Sequence, residues 1–358
     1  MAFSFGFSGD DIEEDPSDVV EQQQQQQQHV QESSNVPPPI AARIHGVEEL
    51  LATLPDKISY STISITSPKG FTALLPRREL FDVRLQLMAE DDGSDSNPLS
   101  GLDESDLRPN LYEGGYKTWE CSIDLVKYLL DRGPRKDLDD LVRVNHVIEM
   151  GCGSALPSLL LFQYALQNSL PLYFTLTDYN ASVLRLVTLP NLLLTWLSTL
   201  SAAQSATLFP SSAPNPLLDP STPDGDVYLT PALLTAFTSA LAATGITLTL
   251  ISGSWTPIPT LLDLIPSTPE LNTFILGSET IYSPASLDAF TEAITALMQR
   301  VKTGKTIVAA KRVYFGVGGS VDGFREACSA RGCVAYEMEF EGLESDGVRR
   351  CLVEVQMY

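Results

Sequence analysis

The fold is decided by one stretch of the chain, Val147-Ile148-Glu149-Met150-Gly151-Cys152-Gly153-Ser154-Ala155. Its apolar half predicts a buried strand, and its glycines predict a tight turn that opens a helix. Gly151 and Gly153 let the backbone approach a ligand that a Cβ would exclude. A dinucleotide-binding turn would have a third small residue where this chain has Leu156, and Glu149 would repel a pyrophosphate. The stretch therefore favours a ligand with a cationic group near Glu149.

Strands and helices alternate from this turn to the end of the chain. The predicted strands occupy residues 146–150, 172–177, 246–251, 271–276 and 306–310. Repeated βα units predict a mostly parallel sheet with right-handed crossovers. Two closing strands, 335–340 and 349–357, predict an antiparallel hairpin at or near one edge. The fold class is therefore α/β.

Composition divides the chain into three regions. Residues 1–39 form an acidic, Gln-rich tail that is predicted to be disordered. Residues 40–110 form a β-rich N-terminal extension with an acidic loop, in which alternating patterns predict strands at 58–66 and 81–87. Residues 111–358 form the main domain, and its Ser-, Ala-, Thr- and Pro-rich part, 201–245, is predicted to be a surface insertion.

The net charge of −22 is concentrated in two segments. Residues 1–39 and 89–107 hold eight and seven acidic side chains, with no Lys or Arg. Such segments are typically solvated and disordered, or they attract a basic protein partner. A basic patch for naked nucleic acid is missing. Five dispersed cysteines predict reduced thiols and no metal site, and neither a signal peptide nor a membrane span is predicted.

Candidate binding residues follow the predicted strands. Asp178, in Thr177-Asp178-Tyr179-Asn180, can accept hydrogen bonds from both hydroxyls of a ribose, or it can cap the next helix. Gly253 and Trp255 end the third strand, where the indole can wall a purine ring or belong to the core.

Two further segments carry side chains suited to the reacting end of a ligand. Ser278-Glu279-Thr280-Ile281-Tyr282 ends the fourth strand, so Glu279 and Tyr282 are predicted to face the acceptor. The alternative is that Glu279 caps the following helix and Tyr282 packs beneath it. Trp119 precedes the core and can cover a cofactor, although a tryptophan on an amphipathic helix is ordinarily part of the core.

These motifs together resemble the seven-β-strand, S-adenosylmethionine-dependent protein methyltransferases, which have a Rossmann-like fold. The resemblance is carried by Lys117-Thr118-Trp119-Glu120-Cys121, Glu149-Met150-Gly151-Cys152-Gly153, Asp178-Tyr179-Asn180 and Ser278-Glu279-Thr280-Ile281-Tyr282. The acid-x-x-aromatic motif after strand four is that of one branch, within which the chain resembles protein-histidine N-methyltransferases of a large-subunit ribosomal protein. The opening Phe3-Ser4-Phe5-Gly6-Phe7 also resembles that family.

The resemblance implies a seven-stranded class I methyltransferase with S-adenosylmethionine as donor and S-adenosylhomocysteine as product. It implies Glu279 and Tyr282 as catalytic residues, and as cofactor-binding residues Trp119, Glu149, Gly151, Gly153, Asp178, Asn180, Gly253, Trp255 and Ser278. The implied acceptor is the tele nitrogen of a histidine in basic large-subunit ribosomal protein three, and the expected enzyme is a cytoplasmic and nuclear monomer that binds no membrane. Two alternatives stay open: a lysine methyltransferase of the same branch, and a binding or assembly factor for a ribosomal protein with little catalysis.

Overall fold

The computed structural model describes residues 39–90, 115–132, 143–219, 221–341, 343–345 and 348–358. Predictions about the Gln-rich tail, apart from its last residue, and about most of the acidic loop lie outside these described residues.

Twelve strands are found in the described ranges. In chain order they are β1 (Arg43–His45), β2 (Lys57–Thr66), β3 (Thr72–Arg78), β4 (His146–Met150), β5 (Tyr173–Asp178), β6 (Asp224–Tyr228), β7 (Thr247–Ser252), β8 (Thr273–Ser278), β9 (Gly304–Lys311), β10 (Cys333–Met338), β11 (Glu344–Ser345) and β12 (Val348–Met357).

The main sheet has the strand order β1-β7-β5-β4-β8-β9-β12-β10, with β11 beside β12. Neighbours from β7 to β9 are parallel, whereas β12 runs antiparallel to β9 and β10. This is the predicted mostly parallel sheet with an antiparallel C-terminal hairpin. From β4 the chain moves outward through β5 to β7 and then returns to β8, on the other side of β4. The switch point of the sheet therefore lies between β4 and β8.

Helices connect the strands and cover the sheet. They are α1 (Val47–Leu51), α2 (Leu80–Glu90), α3 (Glu120–Arg132), α4 (Leu156–Gln167), α5 (Ala181–Val183), α6 (Leu189–Ser198), α7 (Ala202–Leu208), α8 (Pro231–Thr244), α9 (Ile258–Leu264), α10 (Pro284–Gln299) and α11 (Val321–Ala330). A π-helical turn, Leu184–Thr188, joins α5 to α6. The combined stretch Ala181–Ser198 is long and apolar enough to cross a membrane, but 78% of it is buried inside the protein.

The sheet separates two hydrophobic cores, because side chains alternate between the faces of each strand. In β4, Val147 belongs to the core shared with α4 and α6, whereas Ile148 and Met150 belong to the core shared with α10. Parallel strands that are covered on both faces are mostly apolar along their length. These apolar runs are the reason that the central strands could be predicted from the sequence.

The N-terminal extension confirms one predicted strand and corrects another. Residues 58–66 lie in β2, which pairs with β3 and β6 in a separate three-stranded sheet. Residues 81–87, predicted as a strand, lie in helix α2 instead. Their alternation also satisfies a helical period, because Val83 and Leu87 are buried four residues apart. Arg78, at the end of β3, fixes the helix by donating to Asp82 over 2.6 Å.

The region predicted as an insertion, 201–245, contains α7, β6 and α8. Strand β6 pairs antiparallel with β2, so this region completes the small sheet of the N-terminal extension. Helix α8 ends at Thr244, and the next residue, Gly245, adopts a left-handed φ of 76° before the chain enters β7.

Candidate functional site

A cavity of about 1160 Å³ opens at the carboxyl ends of β4, β5, β7 and β8. This is where ligands bind in open α/β sheets, at the switch point. Nine of the predicted site residues line it, namely Trp119, Gly151, Gly153, Asp178, Gly253, Trp255, Ser278, Glu279 and Tyr282. The structure thus brings together residues that are far apart in sequence.

The glycine turn after β4 forms the floor of the cavity. Gly151 and Gly153 have left-handed φ values of 66° and 50°. A Cβ at Gly151 would lie 3.0 Å from the Thr280 methyl group, and a Cβ at Gly153 would lie 3.1 Å from the Gly115 carbonyl. Both glycines are therefore required by conformation and by space.

Asp178 lies against the same turn and is 4% exposed. Its Oδ2 accepts from the Gly153 backbone N–H over 3.0 Å, and its Oδ1 accepts from the Asn180 N–H over 3.0 Å. A carboxylate fixed in this way presents acceptor lone pairs to hydroxyl groups. Asn180 is not among the residues that line the cavity. Its backbone N–H and its side-chain amide both donate to Asp178 Oδ1.

Glu149 does not reach the cavity. Glu149 shares its strand face with Val147, and its Oε2 accepts from the Ser158 N–H over 2.9 Å in the first turn of α4. Burial raises the pKa of Glu149 to about 8. The contact that the sequence predicted with a cationic ligand is therefore replaced by one with the helix start, whose free N–H groups need acceptors.

Trp255 forms one wall of the cavity. Its indole Nε1–H donates to Thr177 Oγ1 over 3.0 Å, and its ring packs at a tilt on Phe290. The ring edge lies 3.7 Å from the place of a Cβ on Gly151, so a planar ring above the turn would meet the indole. Gly253 has a different role, because a Cβ there would lie 2.5 Å from the Ala41 carbonyl.

Glu279 also lines the cavity, close to a cation that lies over an aromatic ring. Glu279 has a left-handed φ of 57°, which is unusual for a residue with a side chain and clusters at functional sites. Lys311 Nζ lies 3.5 Å from Glu279 Oε1 and 5.1 Å from the centroid of the Trp119 ring. Cation–π attraction and the ion pair together fix the position of this carboxylate.

Several residues around Glu279 were not identified from the sequence. Lys311 ends β9, and the buried Tyr314 accepts from the Lys311 N–H over 3.2 Å. Burial and the charge of Glu279 raise the pKa of Tyr314. The segment 314–319 reads Tyr-Phe-Gly-Val-Gly-Gly directly after a predicted strand, and this glycine-rich pattern was the available signal.

Thr188, in the π-helical turn, was also missed. Its hydroxyl donates to the Gly153 carbonyl over 2.7 Å and thereby stabilises the conformation of the glycine turn. A π-helical turn shifts side chains out of helical register and is frequent at functional sites. No pattern in 184–188 distinguishes this turn from an ordinary buried helix.

The cavity has the features that S-adenosylmethionine requires. Two glycines leave room for the ligand at the switch point, Asp178 offers acceptors for a ribose, and Trp255 offers a flat surface for a purine. Glu279 lines the same cavity. Fold and cavity together define a Rossmann-like, S-adenosylmethionine-dependent methyltransferase.

The comparisons with known proteins define the class more closely. The chain is 37% identical over 346 residues to histidine protein methyltransferase 1 of Saccharomyces cerevisiae, which covers 90% of this chain and 89% of that protein. It is 37% identical over 286 residues to the Schizosaccharomyces pombe protein of the same name, covering 79% and 75%. The chain belongs to the histidine protein methyltransferase family.

No protein-family model matches the chain. Among solved structures, the DhpI–SAH complex is 9% identical with a TM-score of 0.32, covering 65% of this chain and 84% of that one. At this distance the fold assignment rests on the strand order.

Proposed function

We propose that this protein transfers the methyl group of S-adenosylmethionine to the tele nitrogen of one histidine in large-subunit ribosomal protein three. The observation that carries the proposal is the carboxylate of Glu279, held by Lys311 in the cavity that contains the glycine turn. The names of the two yeast relatives support the acceptor class.

Glu279 can select the ring nitrogen. A carboxylate accepts a hydrogen bond from Nδ1–H of a neutral imidazole, which leaves the lone pair on Nε2, the tele nitrogen. The bound cofactor supplies an electrophilic methyl group. When Nε2 has taken that methyl group, the ring is cationic, and Glu279 can accept the Nδ1 proton and restore neutrality. Positioning contributes much of the rate, because the displacement is in line.

Lys311 favours histidine over lysine as the acceptor. Imidazole has an ordinary pKa near 6.5 and enters largely neutral at pH 7. A lysine acceptor would enter as an ammonium ion, which has no lone pair until it loses a proton, and the Glu279 carboxylate that could take this proton is already paired with Lys311. A neutral acceptor therefore fits this pair of charges better.

A basic ribosomal protein also suits the charge of the chain. The net charge is −22, and unlike charges accelerate the encounter of two proteins. With this substrate the enzyme would act in the cytoplasm or the nucleus, where ribosomal proteins are made and assembled. Fluorescent tagging of the full-length chain tests that location.

The test is methyl transfer from labelled S-adenosylmethionine into ribosomal proteins from a strain that lacks this enzyme. Mass spectrometry identifies the labelled peptide, and chromatography of the hydrolysed amino acid identifies the nitrogen. We expect label on one histidine. Asp178→Ala should lose binding of S-adenosylhomocysteine, measured by calorimetry. Glu279→Gln should bind it normally and transfer about 100-fold more slowly, as expected when a positioned carboxylate is lost.

The outcomes separate the possibilities. Label on lysine would overturn the acceptor and keep the cofactor. Binding of the ribosomal protein without any label would favour the binding-factor alternative. Equal rates for Glu279→Gln and wild type would remove Glu279 from the mechanism.

A further inference from the structure

The loop that follows β9 exposes apolar side chains at the mouth of the cavity. We call residues 312–320 the rim loop. Phe315 is 91% exposed, Val313 is 49% exposed and Val317 is 42% exposed. All three line the cavity. Contiguous exposed apolar side chains beside a site mark a place where another molecule binds.

The rim loop is held firmly by its backbone. Tyr314 N–H donates to the Gly319 carbonyl over 2.9 Å, and Gly319 N–H donates to the Tyr282 carbonyl over 3.0 Å. The Arg312 N–H donates to the Arg349 carbonyl over 2.9 Å. A Cβ at Gly319 would lie 2.0 Å from the Ile281 carbonyl, so the loop fits tightly against the turn that carries Glu279. The backbone is therefore held in place on both sides of Phe315.

We propose that the rim loop is the docking surface for the protein substrate, and that Phe315 contacts an apolar side chain next to the acceptor histidine. This inference rests on the proposed function, since it assumes that an imidazole reaches Glu279. Tyr314 lies near Glu279, because its hydroxyl accepts from the Lys311 N–H over 3.2 Å and Lys311 Nζ lies 3.5 Å from Glu279 Oε1. Phe315 follows Tyr314 in the chain and lines the same cavity, but it is exposed whereas Tyr314 is buried. An imidazole at Glu279 would therefore place the neighbouring substrate residue toward Phe315.

Charge decides the chemistry of the substrate residue. Lys311, Arg312 and Arg349 line the cavity at the base of the rim loop, and Arg312 is paired with Glu337. A Lys or Arg directly beside the acceptor would meet these cations, whereas an apolar side chain meets Phe315 and the two valines. The substrate is basic as a whole, but its segment at the mouth is apolar.

The experiment compares Phe315→Ala with a matched control, Phe71→Ala. Phe71 is also exposed, at 55%, but it lies in the turn between β2 and β3 and does not line the cavity. Three quantities are measured for each variant: affinity for S-adenosylhomocysteine, affinity of the loaded enzyme for ribosomal protein three, and KM for that protein. We expect Phe315→Ala to weaken protein affinity and raise KM about tenfold, as loss of an aromatic anchor does. Cofactor affinity should stay unchanged, and Phe71→Ala should behave as wild type.

The reciprocal change is made in the substrate. Once the methylated histidine is known, its apolar neighbour is replaced by Ser. The combined loss with Phe315→Ala should be smaller than the sum of the single losses, because contacting residues are coupled. Additive losses, or unchanged protein affinity in Phe315→Ala, would overturn the docking surface. So would a dimer of this chain that Phe315→Ala abolishes while substrate affinity stays. Failure of the wild type to methylate histidine overturns the proposed function instead, and the affinity measurement still decides the docking surface.

Discussion

The glycine turn at 151–155 and the rim loop at 312–320 use glycine for opposite purposes. Both follow strands of one sheet and line one cavity. In the glycine turn, Gly151 and Gly153 bring the backbone close to neighbouring atoms and leave room for a ligand. In the rim loop, Gly319 packs the backbone against the turn of Glu279, while Gly316 faces open space. The glycine turn forms one surface of the cavity, whereas the rim loop carries the exposed side chain of Phe315.

The comparison shows that conformation and space are separate requirements. Ala155 has a φ of 58° in the glycine turn, so a left-handed φ alone is tolerated there. Gly153 differs because a Cβ would collide with the Gly115 carbonyl. The position of neighbouring backbone therefore decides which glycine is essential.

The largest expected effect is that of Gly319→Ala. The new Cβ would lie 2.0 Å from the Ile281 carbonyl, so the rim loop must move away. We expect the free energy of unfolding to fall by roughly 2–4 kcal/mol, measured by chemical denaturation. Methylation of protein should fall with it, while affinity for S-adenosylhomocysteine stays near that of wild type. An unchanged unfolding midpoint would show that the loop is loosely packed.

Gly153→Ala should act on the cofactor instead. Its Cβ would press on the Gly115 carbonyl at 3.1 Å and displace the N–H that donates to Asp178. We expect affinity for S-adenosylhomocysteine to fall about tenfold, corresponding to about 1.4 kcal/mol, as measured by calorimetry. If Gly153→Ala bound S-adenosylhomocysteine with wild-type affinity, the turn would accommodate a Cβ at this position and the prediction would be wrong.

Glu149→Gln tests the strand that leads into the glycine turn. Burial raises the pKa of Glu149 from 4.5 to about 8, so the folded protein favours the protonated acid. Ionisation of this group therefore costs stability progressively as pH rises from 4.5 to about 8. The variant should lack this dependence and be more stable than wild type at the upper end of this pH range. Parallel stability curves for the two proteins would contradict the assignment.

The smallest effect should come from Gly316→Ala in the rim loop. Its φ is 82°, but no atom lies within 4 Å of the added Cβ. Only backbone strain opposes the change, at about 1 kcal/mol. Thermal unfolding should shift slightly, and cofactor affinity should match wild type. A tenfold change in affinity for S-adenosylhomocysteine would show that the rim loop takes part in cofactor binding.

The sequence predicted the central sheet well and its surroundings less well. β4 matched its predicted bounds, because a buried parallel strand is a short apolar run that ends at a glycine turn. Helix α2 was predicted as a strand, since Val83 and Leu87 fit both periods and only packing decides between them. Side-chain direction in β4 likewise decided that Glu149 faces α4.

The candidate site likewise contains residues that local patterns predict and residues that only the strand order brings together. Asp178, Trp255 and Glu279 follow strands, and the rule that parallel strands end at one edge was enough to predict that they meet. Lys311 and the rim loop depend on β9 lying next to β8, which is a matter of strand order. Their contacts with Glu279 join parts of the chain that no local pattern relates.

The pairing of β6 with β2 has a consequence for synthesis of the chain. As the N-terminal region leaves the ribosome, β2 can pair with β3 at once, but β6 and its edge contact follow only after β4 and β5 have been made. Strand β1 waits longer still, because its partner is β7. Contacts so distant in sequence close slowly, and an uncovered strand edge invites aggregation. The N-terminal extension is therefore translated before β6 and β7 but is completed only after both have been made.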